Sequence, residues 1–224
     1  MIEAILSLQG DVTLSCECLV IGSGAGGALT ASYLAEKGKD VLIVEEGPFI
    51  RNSDSMCSVS HSFPKMWRNG GIIPIFSKSK FVFAEGRCLG GGTMINSGLI
   101  TNVSEEIVAE WVKEYKIDGL EYDMLNKHWN TIKKCLNINV IDNKNNIASQ
   151  LFKKGAKSCG FRGIDVPVAA NYINGQLKKN NMLDTFLKKA VEAGAKIITD
   201  CRVSKILFEG RKAKEAQAIY INNK

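Results

Sequence analysis

The sequence lacks any Cys-x-x-Cys pair although it carries seven cysteines. That removes the usual thiolate spacing of a structural zinc site. The two closest thiols, Cys16 and Cys18 in "CEC", are too near along a strand to bridge each other. Unpaired thiols point to a reducing compartment, so a cytoplasmic protein is expected. The opening "MIEAILSLQGD" has no basic start and no long apolar run, which argues against a signal peptide. No stretch reaches the length of a membrane span, and neither repeats nor a low-complexity linker are present. Histidine is scarce: His61 and His128 are the only two, so candidates for an imidazole base are few. The formal net charge is +6, yet the lysines are scattered among Asn and Ile, as in "LKKNNMLDTFLKKA". A nucleic-acid surface needs clustered basic and aromatic residues, so no nucleic-acid partner is expected.

What is present is a chain of 224 residues, 45% of them apolar, enough for a sizeable core. "CLVIG" and "DVLIVE" read as continuous apolar strands buried on both faces. Between them a helix is expected over 28–37, with Ala31, Leu34 and Ala35 on one face and Gly38 stopping it. Two such strands joined by a helix make a right-handed βαβ unit. Residues 48–80 read as irregular, and "FVFAEG" (81–86) as a strand. Further helices are expected after Ser104, along Leu125–Leu136, over 146–159, and along Met182–Val191. Three strand-like runs follow, "AKIIT", "RVSKILF" and "AQAIYI".

The first strand runs into Gly22-x-Gly24-x-x-Gly27, with Ser23, Ala25 and Gly26 between, and Glu45 closes the second strand. Strand, glycine turn, helix and an acid about twenty residues on is the dinucleotide fingerprint. Gly22 permits the tight turn, Gly24 lets the backbone approach a pyrophosphate, and Gly27 lets helix and strand pack closely. The helix N-terminus offers free N–H groups to the phosphates, and Glu45 suits ribose hydroxyls. A carboxylate there disfavours the extra phosphate of NADP. The fingerprint alone leaves FAD and NAD open.

A second glycine cluster, "EGRCLGGGTMIN", resembles the flavin-domain loop of the glucose–methanol–choline (GMC) oxidoreductases. "VEEGP", "MWRNGG", "EWVKEYKIDGL", "LNKHW" and "NMLDTFLKKAVEAGAKIITDCRVSKI" are similar to other parts of that family, so the resemblance runs from about Cys18 to near the end. It implies an α/β, Rossmann-like FAD/NAD(P)-binding fold with a parallel central sheet, apparently truncated. A helical segment (101–180) would be inserted in the FAD-binding domain (1–224), and a β-meander would lie near the C-terminus. It implies FAD as cofactor, with Gly22, Ser23, Gly24, Ala25, Gly26 and Gly27 at the pyrophosphate and Glu45 at the adenosine ribose. Arg87, Gly91, Gly92, Thr93 and Asn96 would line the flavin side, Thr93 and Asn96 as small polar donors. Val203 would meet adenine through its backbone. Ile95 stands where some members carry the histidine that attaches flavin, so non-covalent binding is implied.

Members of that family are longer, and their base comes from a C-terminal part not found here. No catalytic residue is therefore assigned in this chain, and a surface pairing of Arg87 with Glu85 is the bland alternative for that arginine. The expected function is the FAD-binding portion of an oxidoreductase acting on a small-molecule alcohol. It would be inactive alone, with a partner polypeptide able to supply the missing half. The rival expectations are a non-catalytic module and, third, an NAD-dependent dehydrogenase.

Overall fold

The computed structural model describes residues 10–50, 59–76, 78–141, 146–174 and 176–221. In chain order the elements begin with β1 (Cys18–Ile21), α1 (Ala25–Glu36), β2 (Val41–Val44), α2 (Val59–Met66), β3 (Ile73–Ile75), β4 (Phe81–Phe83) and α3 (Gly92–Ile95). Next come α4 (Glu105–Tyr115), α5 (Tyr122–Cys135), β5 (Ile138–Asn139), α6 (Ile147–Ser158), β6 (Val168–Ile173) and β7 (Gln176–Lys179). The series closes with α7 (Phe186–Glu192), β8 (Lys196–Ile198), β9 (Cys201–Glu209) and β10 (Lys212–Tyr220). The chain divides into two compact units, one built from 1–96 with 181–224, the other from 97–180.

In the first unit β1, β2 and β8 form a parallel sheet in the order β1-β2-β8. All four side chains of β2 are buried, as a strand between two neighbours and two layers should be. The expectation that β1 is also buried on both faces does not hold. Val20 is buried, while Leu19 and Ile21 are exposed. Among the described residues β1 has a neighbour on one side only. Helix α1 starts at Ala25, three residues before the expected 28, because the glycine turn itself feeds directly into the first helical turn. Its buried side chains are small, Ala28, Ala31, Ser32 and Ala35, so it lies close against α7, which contributes Phe186, Leu187 and Ala190. Gly38 ends α1 at φ +78°, with its N–H donating to the Ala35 carbonyl at 2.8 Å.

The expected helix over Met182–Val191 is shorter, beginning at Phe186. Asn181 holds the preceding residues in a turn: its Oδ1 accepts from the Asp184 N–H at 3.0 Å, and its carbonyl accepts from the Thr185 hydroxyl at 2.5 Å. Such local side-chain bonds compete with helix. The three late strand-like runs divide. β8 joins the parallel sheet, and β9 and β10 pair as an antiparallel hairpin. The stretch 48–80 is not irregular throughout: α2, a 3₁₀ turn at Arg68–Gly71 and β3 lie within it, and β3 pairs antiparallel with β4. His61 therefore sits in a helix rather than in a loop.

The second unit contains α4, α5 and α6 close to their expected places. Ser104 caps α4, its Oγ accepting from the Ile107 N–H, and Lys116 ends it at φ +51°. The unit also holds an antiparallel sheet, β5-β6-β7, that periodicity does not reveal. Asparagines tie it together. The Asn180 Nδ2 donates to the Leu136 carbonyl at 2.8 Å. The Asn171 Nδ2 donates to Asn180 at 3.0 Å, and the Asn137 Nδ2 to the Ala170 carbonyl at 3.2 Å.

Candidate functional site

Three loops of the first unit meet where β1 and β2 end. The turn after β1 (22–24), the segment after β2 (45–48) and the glycine loop (86–92) come into backbone contact. Glycine is what permits this. A Cβ on Gly27 would lie 1.9 Å from the Gly22 carbonyl oxygen, and one on Gly47 would lie 2.3 Å from the Arg87 carbonyl carbon. A Cβ on Gly91 would lie 2.8 Å from the Cα of Gly24, and one on Gly86 would lie 2.7 Å from the backbone of Gly91. Gly91 also needs φ +56°, a region other residues rarely adopt. The two glycine clusters are thus one construction, crossing at Gly24 and Gly91.

Ser23 is the polar hub. It is fully buried. Its hydroxyl donates to Glu45 Oε2 at 2.5 Å and accepts from the Gly90 N–H at 3.0 Å. Its N–H donates to the same carboxylate oxygen at 2.9 Å. The other oxygen, Oε1, accepts from the Gly47 N–H at 2.8 Å. Glu45 is thereby held in place while buried, with acceptor capacity left on Oε1. Thr93 is similarly committed. Its hydroxyl donates to the Gly90 carbonyl at 2.6 Å and accepts from the Met182 N–H at 3.1 Å. Its one proton is used, so toward any ligand it can only accept, contrary to the expectation of a donor.

The other side of the crossing looks outward. A Cβ on Gly24 or on Gly26 would meet nothing within 4 Å. Helix α1 has no acidic residue in its first turn, and no side chain caps it. An open helix N-terminus flanked by glycines with space above them fits an anionic group such as a pyrophosphate. Gly22, Ala25 and Gly27 belong to this same turn.

A charge cluster backs the glycine loop, and sequence reading missed most of it. Glu46 receives Arg68 through two bonds, Nη1 to Oε1 and Nη2 to Oε2, each 3.1 Å, and Arg87 Nε at 3.1 Å. Arg68 Nε also donates to Glu85 at 2.8 Å. Arg87 therefore pairs with Glu46, and Glu85 goes to Arg68. Backbone bonds brace the same place: the Arg68 N–H donates to the Glu85 carbonyl at 2.9 Å, and the Arg87 N–H to the Met66 carbonyl at 2.7 Å. The hydrogen bonds from Arg68 hold the Glu46 carboxyl below its ordinary range, with Arg87 and Arg202 adding to the effect. Burial pushes the Asp200 carboxyl up, against a bond from Thr199 and the charge of Arg87. The sequence offered only a pairing of Arg87 with Glu85, two members of this cluster that bond to other partners; nothing in spacing pairs Glu46 with Arg68.

Gly92 adjoins the crossing, and the remaining candidates are not among its contacts. Gly92 opens α3 and is exposed, and Asn96 follows the same short helix, also exposed. Val203 lies in β9, packed against the buried cluster of Leu42, Val44, Ile198 and Cys201. His128 is an exposed residue of α5 in the second unit.

Comparison with known proteins identifies the family and the fold. Residues 63–224 match the model of the GMC oxidoreductase family, and residues 20–52 match that of the NAD(P)-binding Rossmann-like domain. The chain belongs to the GMC oxidoreductase family. An uncharacterised GMC-type oxidoreductase of Sinorhizobium fredii is 28% identical over 216 residues, which cover 92% of this chain and 43% of that protein. A long-chain-alcohol oxidase of Arabidopsis thaliana is 28% identical over 93% of this chain and 29% of its own length. The crystal structure of pyridoxine 4-oxidase from Mesorbium loti superimposes with a TM-score of 0.69 at 16% identity, covering 93% of this chain and 47% of that one. It shares the fold. This GMC chain thus spans under half the length of the relatives it matches. No helix among its described residues is long and apolar enough to cross a membrane.

Proposed function

We propose that this GMC chain is the FAD-binding portion of an oxidoreductase acting on the CH–OH group of an alcohol, and that alone it turns over no alcohol. The observation that carries this reading is the crossing of the two glycine loops beside an open helix N-terminus. A nucleotide-only turn has no need of the second loop. In this reading Gly22–Gly27 hold the pyrophosphate through backbone N–H groups, and Glu45, fixed by Ser23 and Gly47, accepts from the adenosine ribose. Gly91, Gly92, Thr93 and Asn96 line the flavin side, with Arg87 behind the loop in its pair with Glu46, and Val203 meets adenine through its backbone. Bound flavin would supply the hydride acceptor. Ile95 offers no side chain for covalent attachment, so FAD is held non-covalently.

The substrate reading follows from kinship: relatives named as long-chain-alcohol oxidases support an alcohol donor. Residues 1–224 are read as an incomplete FAD-binding domain with 101–180 inserted in it. The base that removes the hydroxyl proton belongs to the part of a family-length protein that this chain does not span. A partner polypeptide or a continuing chain would bring it. A cytoplasmic location belongs to the same reading and rests on the odd number of scattered cysteines in the sequence.

Purified chain should take up FAD and show flavin absorbance that denaturation releases. Binding of NAD without FAD would overturn the reading. Gly24→Val should abolish uptake while leaving the fold intact, since its Cβ enters open space. Flavin reduction by a simple alcohol under anaerobic conditions, lost in His128→Ala, would show that the chain carries its own base.

A further inference from the structure

Helix α6 differs from its neighbours in charge. Its 12 residues, "IASQLFKKGAKS", carry lysines and no acid. The other two long helices of the second unit mix signs: α4 has glutamates beside Lys113, and α5 has Asp123 with its lysines. The sides of α6 are segregated as well. At about 100° per residue, Ile147, Leu151, Ala148, Phe152 and Ala156 fall on one half of the circumference. Ser149, Lys153, Lys157, Gln150 and Lys154 fall on the other. An apolar half of this kind ordinarily faces a core. Yet no residue of α6 is buried, and Ile147 is 72% exposed, Leu151 63% and Phe152 77%.

The helix is finished at both ends without help from that face. The Asn146 Oδ1 accepts from the Ser149 N–H at 3.0 Å. Gly160 takes φ +77°, and the N–H groups of Gly160 and Phe161 donate to the Lys157 and Ala156 carbonyls at 3.1 and 2.9 Å. This is the Schellman pattern. The Ser158 hydroxyl, on the apolar half, donates to the Lys154 carbonyl at 3.0 Å, so it is already satisfied away from water. Lys153 donates to Asp165 at 2.5 Å, which ties the following loop to the helix and takes up one of the positive charges. The apolar half is thus preformed, and docking it requires no folding of the helix.

One kind of surface matches both halves together. Acyl chains accept Leu151 and Phe152, while lysines at the border let their ammonium groups reach anionic headgroups. Lys154 stands at that border, beside Ile147 on the wheel. A helix packed on protein has no need of a polar half of a single sign, whereas a basic, acid-free polar half is the mark of a helix at a membrane surface. We propose that α6 docks on the surface of a bilayer rich in anionic lipid, with Ile147, Leu151 and Phe152 in the interface and Lys154 and Lys157 on the headgroups. The helix lies in the surface and does not cross it. The proposal is independent of FAD binding.

Co-sedimentation of the whole chain with vesicles tests it, the probe being phosphatidylcholine with about 30% phosphatidylserine. Partition onto these vesicles should exceed that onto pure phosphatidylcholine at least about tenfold, and should weaken as salt is raised. Phe152→Ser should lower it at least about tenfold, with an unchanged melt because the side chain is exposed. Lys154→Glu with Lys157→Glu should remove the preference for anionic lipid. Two controls in the same unit, Tyr115→Ser on exposed α4 surface and Lys127→Glu with Lys133→Glu on α5, should leave partition within about twofold. Phe152→Trp should gain emission that lipids brominated in their acyl chains quench. No partition, partition that ignores Phe152→Ser, or equal loss in the α5 charge control overturns the proposal. A dimer in lipid-free sedimentation that Phe152→Ser dissociates would make a second copy the occupant and overturn it. Binding of the separately made remaining portion of the Sinorhizobium fredii relative, lost in Phe152→Ser, would make protein the occupant and overturn it too.

Discussion

The two units are held together by different means. In the first, backbones touch through glycines, β2 is buried on both faces, and the small buried side chains of α1 lie close against α7. Of the buried apolar residues among those described, only Val108, Leu136, Ile138, Ala169 and Ala170 belong to the second unit. Its helices keep large apolar groups exposed, including Ile147, Leu151 and Phe152 on α6, and its sheet relies on asparagine amides. A region that must bring loops within van der Waals contact of a ligand is intolerant of added atoms. A region held by amphipathic helices and polar ladders loses stability in small steps. Substitutions should reveal this difference as a gradient.

The largest effect belongs at Gly27. A methyl group there meets the Gly22 carbonyl at 1.9 Å, and both partners are backbone, so the turn must open. Gly27→Ala should cost at least about 3 kcal/mol, seen as an early melt of the unit by near-UV circular dichroism. Gly24→Val, three residues away, should melt within about 0.5 kcal/mol of wild type yet lose FAD. Equal melting of the two variants would show that the glycines of the turn do not divide into packing and ligand-facing members.

Next comes Ser23→Ala. It removes one donor to the Glu45 carboxylate and the acceptor of the Gly90 N–H, all buried. Leaving such groups unmatched costs about 1–3 kcal/mol, and denaturant unfolding reads it. FAD affinity should fall as well, since Glu45 then loses one of the bonds that fix its direction. An unchanged unfolding midpoint would mean that water replaces the hydroxyl.

Much of the first unit was legible because its chemistry is written in residue types that have one use. Gly22-x-Gly24-x-x-Gly27 after an apolar run, with Glu45 on schedule, describes β1, α1 and β2 nearly as they stand. The crossing at Gly91 was legible only as a second motif; that it touches Gly24 is a fact of three dimensions. The exposure of Leu19 and Ile21 was invisible, because "CLVIG" reads the same whether a neighbour strand is present or not. In the second unit the amphipathic periods located α4, α5 and α6. The β5-β6-β7 sheet was missed because β5 is two residues long and its ladder runs through Asn137, Asn171 and Asn180, which read locally as breakers. The Glu46 cluster escaped because ion pairs depend on distance and not on spacing.

That cluster gives the third step. Glu46 and Arg68 are partly exposed, so Glu46→Gln should cost only about 1 kcal/mol at neutral pH. The pH dependence carries the signature. The folded carboxyl titrates below its ordinary value of 4.5 because Arg68 donates to it. Its stabilisation is thus complete above that value and is lost as pH falls through the lowered one. Urea midpoints between pH 6 and 3 should decline less steeply in Glu46→Gln than in wild type. Parallel curves would show that the pair contributes nothing to folding and that Arg87 needs no anchor.

The smallest step lies at the cap of α4. Ser104 Oγ accepts from the Ile107 N–H at 3.4 Å, at an exposed site, which is long for a capping bond. Loss of a good cap costs about 1 kcal/mol, so Ser104→Ala should cost about half of that. Glu105 and Glu106 in the first turn still favour the positive end of the helix, which limits the damage. The readout is hydrogen exchange along Glu105–Tyr115: the first turn should speed up while amides near Val108, the buried member of this helix, keep their protection. FAD affinity should not change. A Ser104→Ala loss as large as that of Ser23→Ala would erase the gradient, and would mean that the second unit is as tightly specified as the glycine crossing.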